Sequence, residues 1–508
     1  VPLPSGRLVA ASDARWSHIY DACGIDIIVS YSDDNGETWH YNFPNYFNDG
    51  TDSKQLNATA FIDPLMTVGK DGTIYLLVDL FPGSFAINTA PNRPDRTTGF
   101  VEINGKQRMP LYTSINGQND SNYTYYIGDF SGGFAPVLEA YDGSASGFYV
   151  DEHYYLYYGP TKEPTYCPQQ GSSAWVKQNV FYYNSILHVR NATYLWLVTS
   201  KDGGETWSAP TILNPQIRRT SGTVQFYGVG PGAVECLDDG TLVLPCYTFQ
   251  VGGANNASQI ASFIYSTDNG VTWHRSQDST DGSHWSSESA TVPIDNNTIR
   301  HFYRDGYSTL WYTDHTRSGN GWVAGTPVDT RVPNTSNNQL SVLRYSQPID
   351  GKTAILVSTA TGSGGSRTNG KIYTFLLNSD NTMNLAYTYV VNDNGADYVY
   401  SSLAELKDGS IGLLYEYENN PSAAITFVNY TIEELTANVS KDELRTLVRE
   451  VEAMDEEGYT AGSWAALQTA LTSAQAVLDK ADATAAEISG AVAALKEAHA
   501  RFAGSKAL

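Results

Sequence analysis

Cysteine, basic residues and long apolar runs are all scarce in this chain, and each scarcity closes off a class of protein. Four cysteines among 508 residues cannot staple a fold together, and their spacing matches no zinc-ligand pattern. Only 31 Lys and Arg face 54 Asp and Glu, a net charge of −23, so the positive footprint that nucleic acid or an anionic membrane surface demands is missing. No apolar run reaches the roughly 20 residues of a membrane-spanning helix. The nine histidines are scattered without metal-ligand spacing. What the chain does hold is 12 % aromatic residues, with 35 Tyr and 10 Trp, and 44 Gly. That mixture fits a Gly-turned, aromatic-rich β protein. The length leaves room for two or three domains of roughly 100–200 residues each.

The composition changes sharply near residue 436. Before it, short runs rich in Val, Ile, Tyr and Thr, such as Thr73–Val78, Ile186–Val198, Thr241–Phe249 and Ile411–Tyr417, are separated by Asp-Gly, Asn-Gly and Gly-Gly turns. Period-2 alternation between turn signals predicts antiparallel sheets. After it, residues 437–508 hold 19 Ala, one Tyr and no Pro. There Leu444, Leu447, Val448 and Val451 recur at helical spacing, as do Trp464, Leu467, Leu471 and Leu478, then Ile488, Val492, Leu495 and Phe502. Ser440 with Glu443 and Thr484 with Glu487 read as capping boxes. Three helices joined by short turns predict an up-down-up bundle.

One motif recurs three times: Ser32-Asp34-Gly36-Thr38-Trp39, Ser200-Asp202-Gly204-Thr206-Trp207 and Ser266-Asp268-Gly270-Thr272-Trp273, with a fainter echo between Thr313 and Trp322. The chemistry is that of a hairpin turn: the carboxylate collects N–H groups, Gly takes a conformation closed to other residues, and Trp plugs the space beside the strands. Trp207 and Trp273 are 66 residues apart, about one propeller blade of roughly 40–50 residues plus loops. Trp39 and Trp207 are 168 apart, which predicts an insertion, placed at about 90–190.

These are Asp boxes, and they resemble those of the sialidases. Along 1–435 the chain resembles bacterial sialidases of glycoside hydrolase family 33. The resemblance implies a mainly β fold: a six-bladed β-propeller with an inserted small β-rich domain, followed by a C-terminal three-helix bundle at 436–508 that resembles FIVAR modules and reads as a spacer. Sialidases depart from the usual carboxylate pair, using a neutral Tyr assisted by a Glu base against an anomeric carbon that already bears a carboxylate. Tyr400-Ser401-Ser402-Leu403, followed by Asp408-Gly409-Ser410-Ile411-Gly412-Leu413-Leu414-Tyr415-Glu416, is similar to the nucleophile segment, with Tyr398 as the neighbour open to confusion. Glu288, in Ser287-Glu288-Ser289-Ala290, would be the base, and Arg304, in Phe302-Tyr303-Arg304, a carboxylate-binding arginine. Here Ala290 and Tyr303 replace the family's Gln and Met. Arg367, in Ser366-Arg367-Thr368-Asn369-Gly370, would be a second such arginine, its planar fork suited to a carboxylate; the nearby Arg344 is not at the family's place. Asp21 would be the acid/base, raised by partial burial, with Asp26 as a structural rival. Arg15 and Asp63 would contact the sugar's 4-position. Glu416 would orient a first arginine that the resemblance places ahead of Val1, so the propeller's N-terminal end is expected to be truncated.

The expected activity is retaining exo-α-sialidase hydrolysis of terminal sialic acids through a tyrosyl intermediate. Two other readings stand beside it: an intramolecular trans-sialidase releasing a 2,7-anhydro product, and a non-catalytic sialoglycan-binding propeller. Expected partners are sialylated glycans, with no nucleic acid, no transmembrane segment and a monomeric state. No cofactor is expected beyond room for a structural calcium, for which no EF-hand-like loop is present. The expected place is extracellular, secreted or attached to a bacterial cell wall. The helical tail carries 7 basic and 11 acidic residues, net −4, leaving −19 to the rest. Grip on an anionic sugar must therefore come from a local arginine cluster.

Overall fold

A computed structural model describes the chain except residues 17–20, 22–23, 48–57, 84–96, 218–223, 251–257, 281–283, 337, 418–423, 437–440, 458–459, 481–482, 484 and 504–508. The β region is a succession of mainly antiparallel sheets, the first of which also holds parallel pairings, Ile25 opposite Ala60 and Gly232 opposite Leu65. Leu8–Arg15, Ile25–Ser32 and His40–Asn45 share one sheet with Ala60–Val68, Ile74–Phe81 and Tyr194–Ser200. Next come a four-stranded sheet from Val224–Val229 to His274–Arg275, a five-stranded sheet from Ser286–Asp295 to Val328–Pro333, and a four-stranded sheet from Ser341–Ile349 to Met383–Val390. Ser401–Glu405, Ile411–Tyr417 and Ala424–Tyr430 make a three-stranded sheet. Inner strands are covered on both faces, so every residue of Ile74–Phe81 is buried, whereas outer strands such as Val328–Pro333 and Met383–Val390 keep exposed residues.

Strands Ile74–Phe81 and Tyr194–Ser200 pair directly, Leu80 opposite Tyr194. Everything between them is an excursion from a single hairpin. Within it, strands from Pro110–Leu111 to Glu163–Pro164 form a six-stranded sheet of their own, with two flanking hairpins. An aromatic cluster ties the excursion to its root. Phe47 packs against Phe61, Phe181, Tyr182 and Trp196 at centroid separations of 4.7–6.3 Å.

The three repeated motifs form the same network. In the first, Ser32 Oγ donates to Asp34 Oδ1 at 2.8 Å, and Thr38 N donates to the same oxygen at 2.9 Å. Gly36 N donates to Ser32 Oγ, and Trp39 Nε1 donates to Gly36 O at 3.0 Å. Gly36, Gly204 and Gly270 sit at φ of +89°, +91° and +80°, which a side chain would strain. The echo at Thr313–Trp322 is different. Its hairpin keeps the buried Trp322, but Thr313 donates to Ser279 O rather than to a turn carboxylate.

Helices Lys441–Glu452, Ala461–Asp479 and Ala485–Ala503 close on a core of Leu444, Leu447, Val448, Val451, Leu467, Leu471, Ile488, Val492, Leu495 and Phe502. Ser440 and Thr484 lie outside the described residues. Thr460 caps the middle helix by accepting from Ser463 N. A reciprocal capping box is found at Thr431 and Glu434, starting the short helix Ile432–Leu435.

Candidate active site

Tyr400 immediately precedes the first strand of the three-stranded sheet, and its backbone is stitched to the next strand. Glu416 N donates to Tyr400 O at 2.9 Å and Val399 N donates to Glu416 O at 3.1 Å. The phenol donates to Glu288 Oε1 at 2.6 Å, and Arg304 Nη1 donates to Glu288 Oε2 at 2.6 Å. Arg304 Nη1 also reaches Tyr400 Oη at 3.2 Å, and the Arg367 guanidinium lies 5.1 Å from the centre of the Tyr400 ring. Residues 112, 96 and 33 positions from the tyrosine thus converge on one phenol. Burial pushes the Tyr400 hydroxyl well up, and the Glu288 carboxylate adds to this while Arg304 opposes it. The resting tyrosine is therefore neutral, with a base already on its proton.

Glu288 is aimed by a β-bulge. Ser286 pairs with Asp305 and Ser289 with Tyr303, so three steps on one strand face two on its partner. A bulge of this kind re-aims a side chain out of strict alternation. Asp63 uses the same device: Ile62 pairs with Asp79 and Leu65 with Leu77, and Asp63 itself adopts φ of +61°. Its carboxyl is pushed well above the usual carboxylate range by burial, then by the charges of Glu288, Asp13, Asp79 and Asp21. Asp13 joins this cluster to Arg15. Asp63 N donates to Asp13 Oδ1 at 3.2 Å, and Arg15 Nη2 donates to Asp13 Oδ2 at 2.8 Å. Arg15 Nη1 then reaches Asp21 Oδ1 at 3.0 Å.

Asp21 is expected to be partly buried. Its side chain is 47 % exposed and ion-paired to Arg15, because it sits in a turn beyond the strand rather than between strands. The rivals resolve by their partners. Asp26 accepts from Trp16 Nε1 at 2.7 Å and from Phe47 N at 2.8 Å, and burial lifts it to about 7. Tyr398 is fully buried, bonded to Ser358 Oγ and stacked on Tyr415. Arg344 offers its backbone N–H to Glu235. Cys236 and Cys246 are free thiols.

Sequence reasoning missed Tyr247. It is buried, and its hydroxyl is pushed well up by burial and by Asp63, Glu288, Asp79 and Tyr400. It also missed Gln339, whose amide oxygen accepts from Ser401 N at 3.1 Å. Nothing local marks either residue; Pro64 and Pro293, prolines inside strands, are visible signals of irregular pairing.

Two family models match the β region of the chain. The BNR repeat-like domain matches residues 175–415, and the BNR/Asp-box repeat matches 30–41. An anhydrosialidase of Macrobdella decora is 28 % identical over 489 residues, covering 86 % of this chain and 60 % of that protein. Sialidase B of Streptococcus pneumoniae is 28 % identical over 481 residues, covering 85 % and 64 %. The chain is similar to sialidases along most of its length. It spans less than two thirds of the length of these two relatives. Among solved structures, the chain is similar to the leech intramolecular trans-sialidase complexed with 2,7-anhydro-Neu5Ac, with a TM-score of 0.74 and 27 % identity over 86 % of this chain and 68 % of that one. The intramolecular trans-sialidase of Ruminococcus gnavus, complexed with oseltamivir carboxylate, gives the same TM-score and identity over 86 % and 94 %. The FIVAR domain matches residues 440–503.

Proposed function

We propose that the chain is a retaining sialidase, cutting terminal sialic acid from sialylated glycans by way of a Tyr400 glycosyl intermediate. The observation that carries this reading is the 2.6 Å bond from the Tyr400 phenol to Glu288, with Arg304 held on the carboxylate's other oxygen. In the first step the phenol passes its proton to Glu288 Oε1 and its oxygen attacks the anomeric carbon. The bond to the leaving glycan breaks, and that oxygen takes a proton from Asp21. A neutral nucleophile avoids the repulsion that a carboxylate would meet from the substrate's own carboxylate. Arg304 and Arg367 bind that carboxylate, and Arg15 and Asp63 meet the far side of the sugar. In the second step an incoming hydroxyl gives its proton to Asp21 and displaces Tyr400, whose oxygen recovers its proton from Glu288. The five sheets outside the excursion, the first of them eight-stranded, are read as a six-bladed propeller presenting these residues at one end, with the excursion from the Ile74–Phe81 hairpin as an inserted domain and the helices as a spacer. Extracellular action on glycoproteins or oligosaccharides follows from the substrate.

Two incoming hydroxyls fit the second step. Water gives hydrolysis; the sugar's own 7-hydroxyl gives the 2,7-anhydro product. The second is favoured by the names of the similar proteins, an anhydrosialidase and two intramolecular trans-sialidases. Proton NMR of the product released from 3′-sialyllactose distinguishes them: free α-sialic acid appears first in hydrolysis, and 2,7-anhydro-sialic acid in transfer. Tight binding without either product rejects the enzyme reading in favour of a lectin.

A further inference from the structure

Between the sheets that carry Glu288 and Tyr400 lies a buried amide with two obligations. Gln339 is 2 % exposed. Its oxygen accepts from Ser401 N at 3.1 Å, the peptide just after Tyr400, and its Nε2 donates to Pro231 O at 3.0 Å. The loop holding Pro231 lies hard against the residue following Glu288: a Cβ on Gly230 would stand 2.6 Å from Ser289 O. The neighbouring Asn338, also fully buried, donates to Val399 O at 2.6 Å, the peptide just before Tyr400. The nucleophile's backbone is thus bracketed on both sides by consecutive amides. One of them also holds the loop that packs on the base's strand.

We infer that Gln339 is a positioning residue that sets the distance between Tyr400 and Glu288, an inference resting on the reading of Tyr400 as nucleophile. The work requires an acceptor for a peptide N–H and a donor for a carbonyl at once, and among side chains of this shape only a neutral amide offers both. A carboxylate at the same place would face the Pro231 carbonyl with no proton to share, and a displacement of about 1 Å at a reacting atom can cost about a hundredfold in rate. Protonated, the same carboxyl regains a donor.

The test compares Gln339→Glu with Tyr398→Phe, which removes a comparably buried hydroxyl from the same segment. Expected for Gln339→Glu is a kcat on an aryl sialoside lowered roughly 10- to 100-fold at pH 7, with KM within about threefold, partly recovered as pH falls. Tyr398→Phe lowers the melting temperature and leaves kcat near wild type. In parallel, ¹³C-labelled tyrosine spectra, with the Tyr400 resonance assigned from Tyr400→Phe, should show that resonance moved by Gln339→Glu and not by Tyr398→Phe. A Gln339→Glu kcat within twofold of wild type, or a loss matched by Tyr398→Phe, overturns the inference. If the wild-type chain itself turns over no sialoside, the functional reading fails, and the Tyr400 resonance alone decides: unmoved, the positioning role is rejected.

Discussion

The Asp boxes and the Tyr400 site both depend on carboxylates, and they treat them in opposite ways. In the boxes each Asp is bonded to groups two and four residues away. The Thr38 hydroxyl and N–H hold Asp34 down to about 2, and Thr272 does the same to Asp268. At the Tyr400 site the partners lie up to 112 residues away, and burial pushes Asp63 and the Tyr400 phenol up rather than down. Local turns satisfy their acids and so stabilise the fold. The site leaves its acids crowded and its phenol protonated, a state that becomes useful only when a substrate arrives. Strain and like charge concentrated at one site, against satisfied turns elsewhere, is the pattern expected when function and folding compete for the same residue types.

The largest break in this comparison is Tyr400→Phe. It removes the hydroxyl proposed as nucleophile but leaves the ring packing, so turnover of an aryl sialoside should fall at least about a thousandfold with an unchanged melting temperature. A smaller test exploits the opposed pKa directions. Asp63 is raised above its ordinary value of 3.8, so its contribution to stability is complete below that value and is lost as pH rises through the folded pKa. Asp63→Asn should therefore raise the melting temperature at pH 7.5 relative to wild type, with little gain at pH 4, while KM rises several-fold. Asp268 is lowered to about 2, so its contribution is present above 3.8 and is lost as pH falls toward 2. Asp268→Asn should then lower the melting temperature at pH 7.5, with the deficit closing in acid. Both pairs are read by differential scanning fluorimetry across pH.

The smallest effect belongs to a box far from the chemistry. Ser200 is buried, donates to Asp202 Oδ1 at 2.8 Å and accepts from Gly204 N at 2.8 Å. Ser200→Ala should cost about 1–2 kcal/mol of stability, measured by denaturant titration, and leave kcat/KM unchanged. A fall in kcat/KM there would show that the boxes reach the site.

This contrast also explains what the sequence could reveal. The boxes were legible because their whole network spans eight residues, from Ser32 to Trp39. The helical tail was legible from its periodicity. Tyr400, Glu288, Arg304 and Arg367 were found through motifs, and the structure brings all four together. The bulges at Glu288 and Asp63 were not read, because a bulge is a mismatch between two strands and neither strand carries it alone. Gln339 and Tyr247 were invisible for the same reason: their meaning lies in partners from other sheets. Asp21 was expected to be partly buried, and its turn leaves the side chain 47 % exposed beside Arg15. A residue's place in a chemical motif does not fix its solvent.

The central claim, that Tyr400 is the nucleophile, has a direct test. A 2,3-difluorinated sialic acid slows release of a glycosyl-enzyme, because fluorine destabilises the positive charge that develops at the sugar ring. Incubation with this compound followed by peptide mass spectrometry should give one adduct, on the peptide containing Tyr400, absent in Tyr400→Phe. An adduct on any other residue, or turnover of an aryl sialoside by Tyr400→Phe at the wild-type rate, would contradict it.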